Sequence, residues 1–251
     1  MANGCISVER ILARLDGYLN ENDYISAERH LLYWLTEAES GCDVKTELLM
    51  LNELMGLYRK LGKSERALEC ADRAIKKIDE QGISAQVGAA TSYLNAATVY
   101  KAFGKPYESL ELFELAKAVY EAELAPCDSR LGGLYNNMAL TLVDLKRFDE
   151  ANELYEKAIE IMNNNEGADL EVAITYLNMA TAAEARYGLL DADERISELL
   201  DVASDILDKH EGRGGYYAFV CEKCASVFGY YGRFVYENDL KSRARRIYEG
   251  N

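Results

Sequence analysis

Histidine is nearly absent from this chain, with only His30 and His210, and proline occurs only at Pro106 and Pro126. So few histidines leave the one CxxC, Cys221 and Cys224, without the second ligand pair that a metal site of that kind needs. No apolar run approaches the roughly 18 residues of a membrane helix, and the opening MANGCISVERIL has neither a basic leader nor an apolar signal segment. A soluble, cytoplasmic protein with no membrane partner is expected. Positive charge is short as well, with 28 Lys and Arg against 43 Asp and Glu and a formal charge of -15. That balance repels a phosphate backbone, so no direct nucleic-acid binding is expected, and a basic or mixed-charge partner is easier to accommodate. Neither a phosphate-cradling glycine loop nor an HExxH is present, and acidic pairs such as Asp149–Glu150 have no base partner that singles them out. The expectation is a non-enzyme with no cofactor and no metal. The six cysteines, Cys5, Cys42, Cys70, Cys127, Cys221 and Cys224, are scattered and read as reduced thiols; Cys221 and Cys224 fall at core-facing helical positions.

What the chain has instead is a repeat. In Gly132 to Gly167, apolar residues recur every three or four places on either side of a polar turn, which describes two amphipathic helices folded on each other. The turn residues in register are Asn22, Gly62, Gly104, Lys146, Tyr187 and Gly232, separated by 40, 42, 42, 41 and 45 residues. A near-constant period of this size means stacked units, none of which buries its apolar face alone. A small or apolar residue leads the turn by seven places and an alanine follows it nineteen later: Met55 with Ala74, Ala97 with Ala116, Ala139 with Ala158. Ala180 and Ala203 are 23 apart, so the fifth unit carries four extra residues around Tyr187 to Asp191, expected in its inter-helix loop. Asp23 and Ser64 are candidate N-caps of second helices, and Pro106 fits a first helical turn, where its missing N–H costs nothing.

At Tyr58, Gly62, Ala67 and Ala74, and again at Tyr93, Ala97, Tyr100, Gly104 and Ala116, the chain resembles the tetratricopeptide family. The period near 42 and the paired asparagines of YNNMAL look more like the longer repeat of kinesin light chains. The resemblance covers about residues 8 to 248 and is strongest from Leu48 to Met162, although the proline that often closes such repeats is missing. It implies an all-α, right-handed superhelix of about six helix-turn-helix repeats, near 8–41, 48–81, 90–123, 132–165, 173–210 and 214–248, in one domain spanning 1–251.

The candidate site follows from YLNAAT, YNNMAL and YLNMAT. Asn95, Asn137 and Asn178 each precede the small contact residue by two, and a step of about 200° turns them away from the sister helix toward the inner wall. An amide offers donor and acceptor and suits the main chain of an extended peptide. In kinesin light chains and similar peptide-sensing regulators, asparagines at the matching place hold peptide backbones, so the resemblance implies peptide binding. The same register adds Asn52, Asn136, Arg59 and Lys101, with Tyr230 at the far end. The function expected is a protein-protein interaction module holding an extended peptide or flexible partner segment. The alternatives are that the amides only tie helices together in a structural or self-associating scaffold, or that an enzyme site goes unrecognised.

Overall fold

Apolar stripes at helical spacing, separated by short polar turns, leave each helix one face to bury. In the computed structural model, which describes residues 7–250 and so leaves Cys5 outside the described residues, they do so in pairs. Among the described residues there are twelve α-helices and no strand. They are α1 (Val8–Asn20), α2 (Tyr24–Ser40), α3 (Val44–Lys60), α4 (Ser64–Gln81), α5 (Val87–Ala102) and α6 (Pro106–Glu123). The rest are α7 (Ser129–Asp144), α8 (Phe148–Asn163), α9 (Asp169–Tyr187), α10 (Asp193–Lys209), α11 (Gly215–Tyr230) and α12 (Phe234–Tyr248). Packing divides them into a first compact unit, up to Glu123, and a second from Leu124. Within each unit the first helices of successive pairs touch, α3 with α5, α7 with α9 and α9 with α11, and second helices pack beside them.

The inter-helix turns have a common cause. Asn22, Gly62, Gly104, Lys146 and Gly232 all have positive φ, between 55° and 79°. In each turn the next amide reaches back to a carbonyl five residues earlier: Asp23 to Tyr18, Lys63 to Tyr58, Lys105 to Tyr100, Arg147 to Leu142 and Arg233 to Phe228, at 2.8–2.9 Å. This left-handed cap satisfies carbonyls that the helix end would otherwise orphan. Lys146 holds a conformation that costs a side chain with a Cβ about 1–2 kcal/mol. Lys146→Gly should therefore stabilise the protein by about 0.5–1 kcal/mol after glycine's extra unfolded-state freedom is discounted; an unchanged or lower urea midpoint would contradict this.

The fifth pair differs, and Tyr187 is not its turn residue. It ends α9, and Gly188 follows with φ 83° and ψ 159°. The extra residues are shared between a longer α9, of 19 residues, and the loop Gly188–Ala192, which replaces the three-residue turns elsewhere. Helices α3 and α7 start four and three residues before the expected positions, where Asp43 and Asp128 cap them by accepting the Thr46 and Arg130 amides at 3.1 and 3.0 Å; α5 and α9 also start early, without a side-chain cap. Asp23 caps α2 through the Ser26 amide at 3.0 Å. Ser64 is the first residue of α4 and not its cap, which is Lys63 without a side-chain bond. Pro106 opens α6.

The repeat's small residues sit at its closest contacts. Ala27, Ala67, Ala74, Ala97, Ala116, Ala139, Ala158, Ala180 and Ala203 are fully buried, since any larger side chain would hold the helix axes apart. Gly132 belongs to the same set: a Cβ there would lie 3.1 Å from Met162 Cγ. Nine residues after the turn, Leu31, Ala71, Phe113 and Tyr155 fill one repeat position, each buried to 1% exposure or less.

Candidate functional site

In the first unit, α3 carries Asn52 and Arg59, and α5 carries Asn95 and Lys101. The Asn52 side chain donates through Nδ2 to Ser92 Oγ on α5 at 3.0 Å, while its Oδ1 is buried without a partner. Asn95 is half-buried, and among the described residues its amide makes no side-chain hydrogen bond; only its backbone carbonyl is used, accepting from Thr98 Oγ1 at 2.7 Å. Arg59 forms no ion pair among the described residues. It is exposed as a residue, yet surrounding protein desolvates the guanidinium and draws its pKa down, although it stays charged at any ordinary pH. Lys101 occupies the same position of α5 but is half-buried and not a free cation.

In the second unit the amides are more committed. Asn178 on α9 donates to Asn136 Oδ1 on α7 at 3.0 Å, and Asn137 donates to the Gly133 carbonyl of its own helix at 2.9 Å. Tyr230 gives its hydroxyl to Glu184 at 2.6 Å, beside Tyr231 at 2.8 Å, and leaves its ring 67% exposed. The bonds Asn52–Ser92 and Asn178–Asn136 join consecutive first helices. These amides therefore tie helices, and Asn95 is the ladder member whose amide is open.

Two models of the tetratricopeptide repeat match residues 130–206 and 89–126. The protein KINESIN LIGHT CHAIN-RELATED 1 of Arabidopsis thaliana is 25% identical over 190 residues, 72% of this chain and 31% of that relative, so the chain spans about a third of its length. The crystal structure of BtubC (BKLC) from P. vanneervenii superposes with a TM-score of 0.68 at 21% identity, covering 82% of this chain and 83% of that one. Residues 89–126 and 130–206 thus match tetratricopeptide repeats, and the chain is similar to proteins with kinesin light chain-like repeats. A kinesin light chain-like protein of Podosopora anserina with nearly identical TPR-like repeats superposes at 0.56, with 18% identity and coverage of 81% and 95%. The fold is accordingly the all-α helical repeat of the tetratricopeptide solenoids.

On the first helices one inner-face group went unnoticed in the sequence. Glu53 stands 42 residues before Asn95, at the asparagine position of its own helix, and burial together with the Asp16 charge raises its pKa above 4.5. The period itself was the signal that would have found it. The cysteines of the repeats are packing residues: Cys70, Cys221 and Cys224 are buried. Burial pushes the Cys70 thiol to about 11 and Cys224 to about 12, so both stay neutral thiols near pH 7. No described helix is long and apolar enough to cross a membrane.

Proposed function

We infer that this chain is a protein-protein interaction module that holds an extended peptide against the first helices of its repeats. The observation that carries the reading is in the first unit, where, among the described residues, the Asn95 side-chain amide makes no hydrogen bond and the Arg59 guanidinium no ion pair. An amide with both donor and acceptor free suits a peptide group, and an unpaired guanidinium suits a carboxylate on the same ligand. The relatives' repeats support the interaction role at the level of fold.

The experiment is capture of partners by the full chain, repeated with Asn95→Ala and with Asn95, Asn137 and Asn178 all changed to alanine. Asn95→Ala should weaken capture by about threefold to tenfold, from the roughly 0.5–1.5 kcal/mol of one net hydrogen bond, with stability unaltered. Asn178→Ala should instead cost about 0.5–1.5 kcal/mol of stability, because it leaves Asn136 Oδ1 unpaired. Undiminished capture by the folded triple variant would remove the clamp.

A self-associating scaffold is the second reading, favoured by α12, which leaves Phe234 63% and Val235 87% exposed, apolar surface that a second copy of the chain would cover. Light scattering decides it: a monomer at all concentrations ends this reading.

A further inference from the structure

Cations are scarce in this chain, yet α12 carries Lys241, Arg243, Arg245 and Arg246 within six residues. Arg243 and Arg246, three places apart and so on one helical face, line a cavity of about 400 Å³ in the second unit, within the size range of ligand sites. Arg213, from the loop ahead of α11, reaches the same cavity, as do Asp208 of α10, Tyr217 of α11 and Ile247. Residues from four separate segments thus bring three guanidiniums to one place.

Only one of the three is neutralised. Arg243 is paired with Asp208 at 2.7 Å and with Asp239, and it donates to the Tyr217 hydroxyl at 3.0 Å. Asp208 is answered in turn, by Arg243 and by the Tyr236 hydroxyl at 2.9 Å. Among the described residues neither Arg213 nor Arg246 has an ion pair, although Asp and Glu outnumber Lys and Arg by 43 to 28. Arg246 spends its Nε on the Ser242 carbonyl at 3.4 Å. Arg213 is fixed in place without losing its charge. Its guanidinium lies 4.4 Å from the Tyr217 ring centroid and donates to the Tyr217 hydroxyl and, at 3.1 Å, to the Asp208 carbonyl, both of them uncharged acceptors. The ring beneath it is buried and stacks on His210 at 5.5 Å. Arg213 and Arg246 are both exposed, so their remaining N–H groups are open to a ligand.

We propose that this cavity binds a phosphate monoester between the guanidiniums of Arg213 and Arg246. Near pH 7 such a group carries close to two negative charges and three terminal oxygens. Two separate guanidinium forks can share those oxygens, whereas a carboxylate is satisfied by one fork. Arg243 neutralises Asp208, which would otherwise repel the anion, and Ile247 offers apolar surface to the carbon beside the ester oxygen. A fork already held against a buried ring loses little freedom on binding. The phosphate has two possible sources, a phosphorylated side chain of a partner or a free phosphate compound, and the chemistry of the site is the same for both. The cavity lies in the second unit, apart from Asn95 and Arg59, and does not depend on the peptide reading above.

The test is an NMR titration of the full chain with N-acetyl-phosphoserine methylamide, run beside the serine and glutamate analogues and inorganic phosphate. Saturable shifts at the Nε–H groups of Arg213 and Arg246 and at the Ile247 amide are expected with the phosphorylated probe. Arg213→Gln and Arg246→Gln should each weaken it by about tenfold or more, the loss of a hydrogen bond to a charged group. Arg245→Gln, on the same helix but outside the cavity, should leave binding unchanged. No saturable shift, equal binding of the serine or glutamate analogue, or an equal loss in all three variants overturns the proposal. Inorganic phosphate binding as tightly as the probe assigns the site to a free phosphate compound; tighter binding of the probe assigns it to a phosphorylated partner. Arg246 makes one long bond within its own helix, so its variant keeps the test decisive even if Arg213→Gln loosens the loop.

Discussion

Phe113→Ala should lower the unfolding free energy by about 3–5 kcal/mol, the usual cost of emptying a buried aromatic site. Phe113 is fully buried on α6, at the position that Leu31, Ala71 and Tyr155 occupy in their own pairs. Because each helix pair is stabilised by its neighbours, the cavity also weakens the contact of α6 with α5. The readout is the urea midpoint followed by far-UV circular dichroism, with native helicity retained before the transition. A loss below about 1 kcal/mol would mean that this repeat position is not core. Tyr155→Phe at the equivalent position should be neutral or slightly stabilising, since it removes a buried hydroxyl that has no partner.

Glu28→Ala should cost about 2–3 kcal/mol and flatten the acid limb of the stability curve. Glu28 accepts from the Tyr58 hydroxyl at 3.0 Å and the Lys63 ammonium at 2.7 Å, and is bonded by Arg66 as well. It thereby joins α2 to α3, the turn after it and α4. Burial alone would raise its pKa, but the hydrogen bonds from Lys63 and Tyr58 and the charges of Lys63 and Arg66 outweigh it and hold the carboxyl below 4.5. A depressed folded-state pKa makes the contribution full above the unfolded value and lost as pH falls through the folded one. The native protein should therefore lose stability between about pH 5 and pH 3, and the variant should lose less over that interval. Parallel curves for the two proteins would show that Glu28 is not the group responsible. Truncation leaves the half-buried Lys63 and the buried Tyr58 donors without this acceptor, which is why the cost exceeds that of an exposed ion pair.

The turn residues show how far periodicity reaches. Asn22, Gly62, Gly104, Lys146 and Gly232 were identified by spacing alone, and each adopts the left-handed cap, because a helix end has few ways to satisfy its last carbonyls in so short a connection. Tyr187 missed by one residue, since the extra residues could enter either the helix or the loop and spacing does not distinguish them. The inner-face asparagines were placed on the right helices, but their hydrogen bonds were not legible. Asn137 and Asn95 share a repeat position, and only Asn137 finds a carbonyl within its own helix.

By itself the sequence determined the paired helices, their number, the small residues at the tight contacts and the family of repeat. These depend on local helical spacing, on caps and on a contact recurring with one period, all of which are properties of residue order. The tertiary structure decided which amides are spent on neighbouring helices, that Tyr155 carries an unanswered hydroxyl, and how the fifth pair's extra residues divide between α9 and its loop. Those outcomes turn on whether a particular donor meets an acceptor within about 3 Å, and side chains dozens of residues apart reach that distance only once the helices are packed.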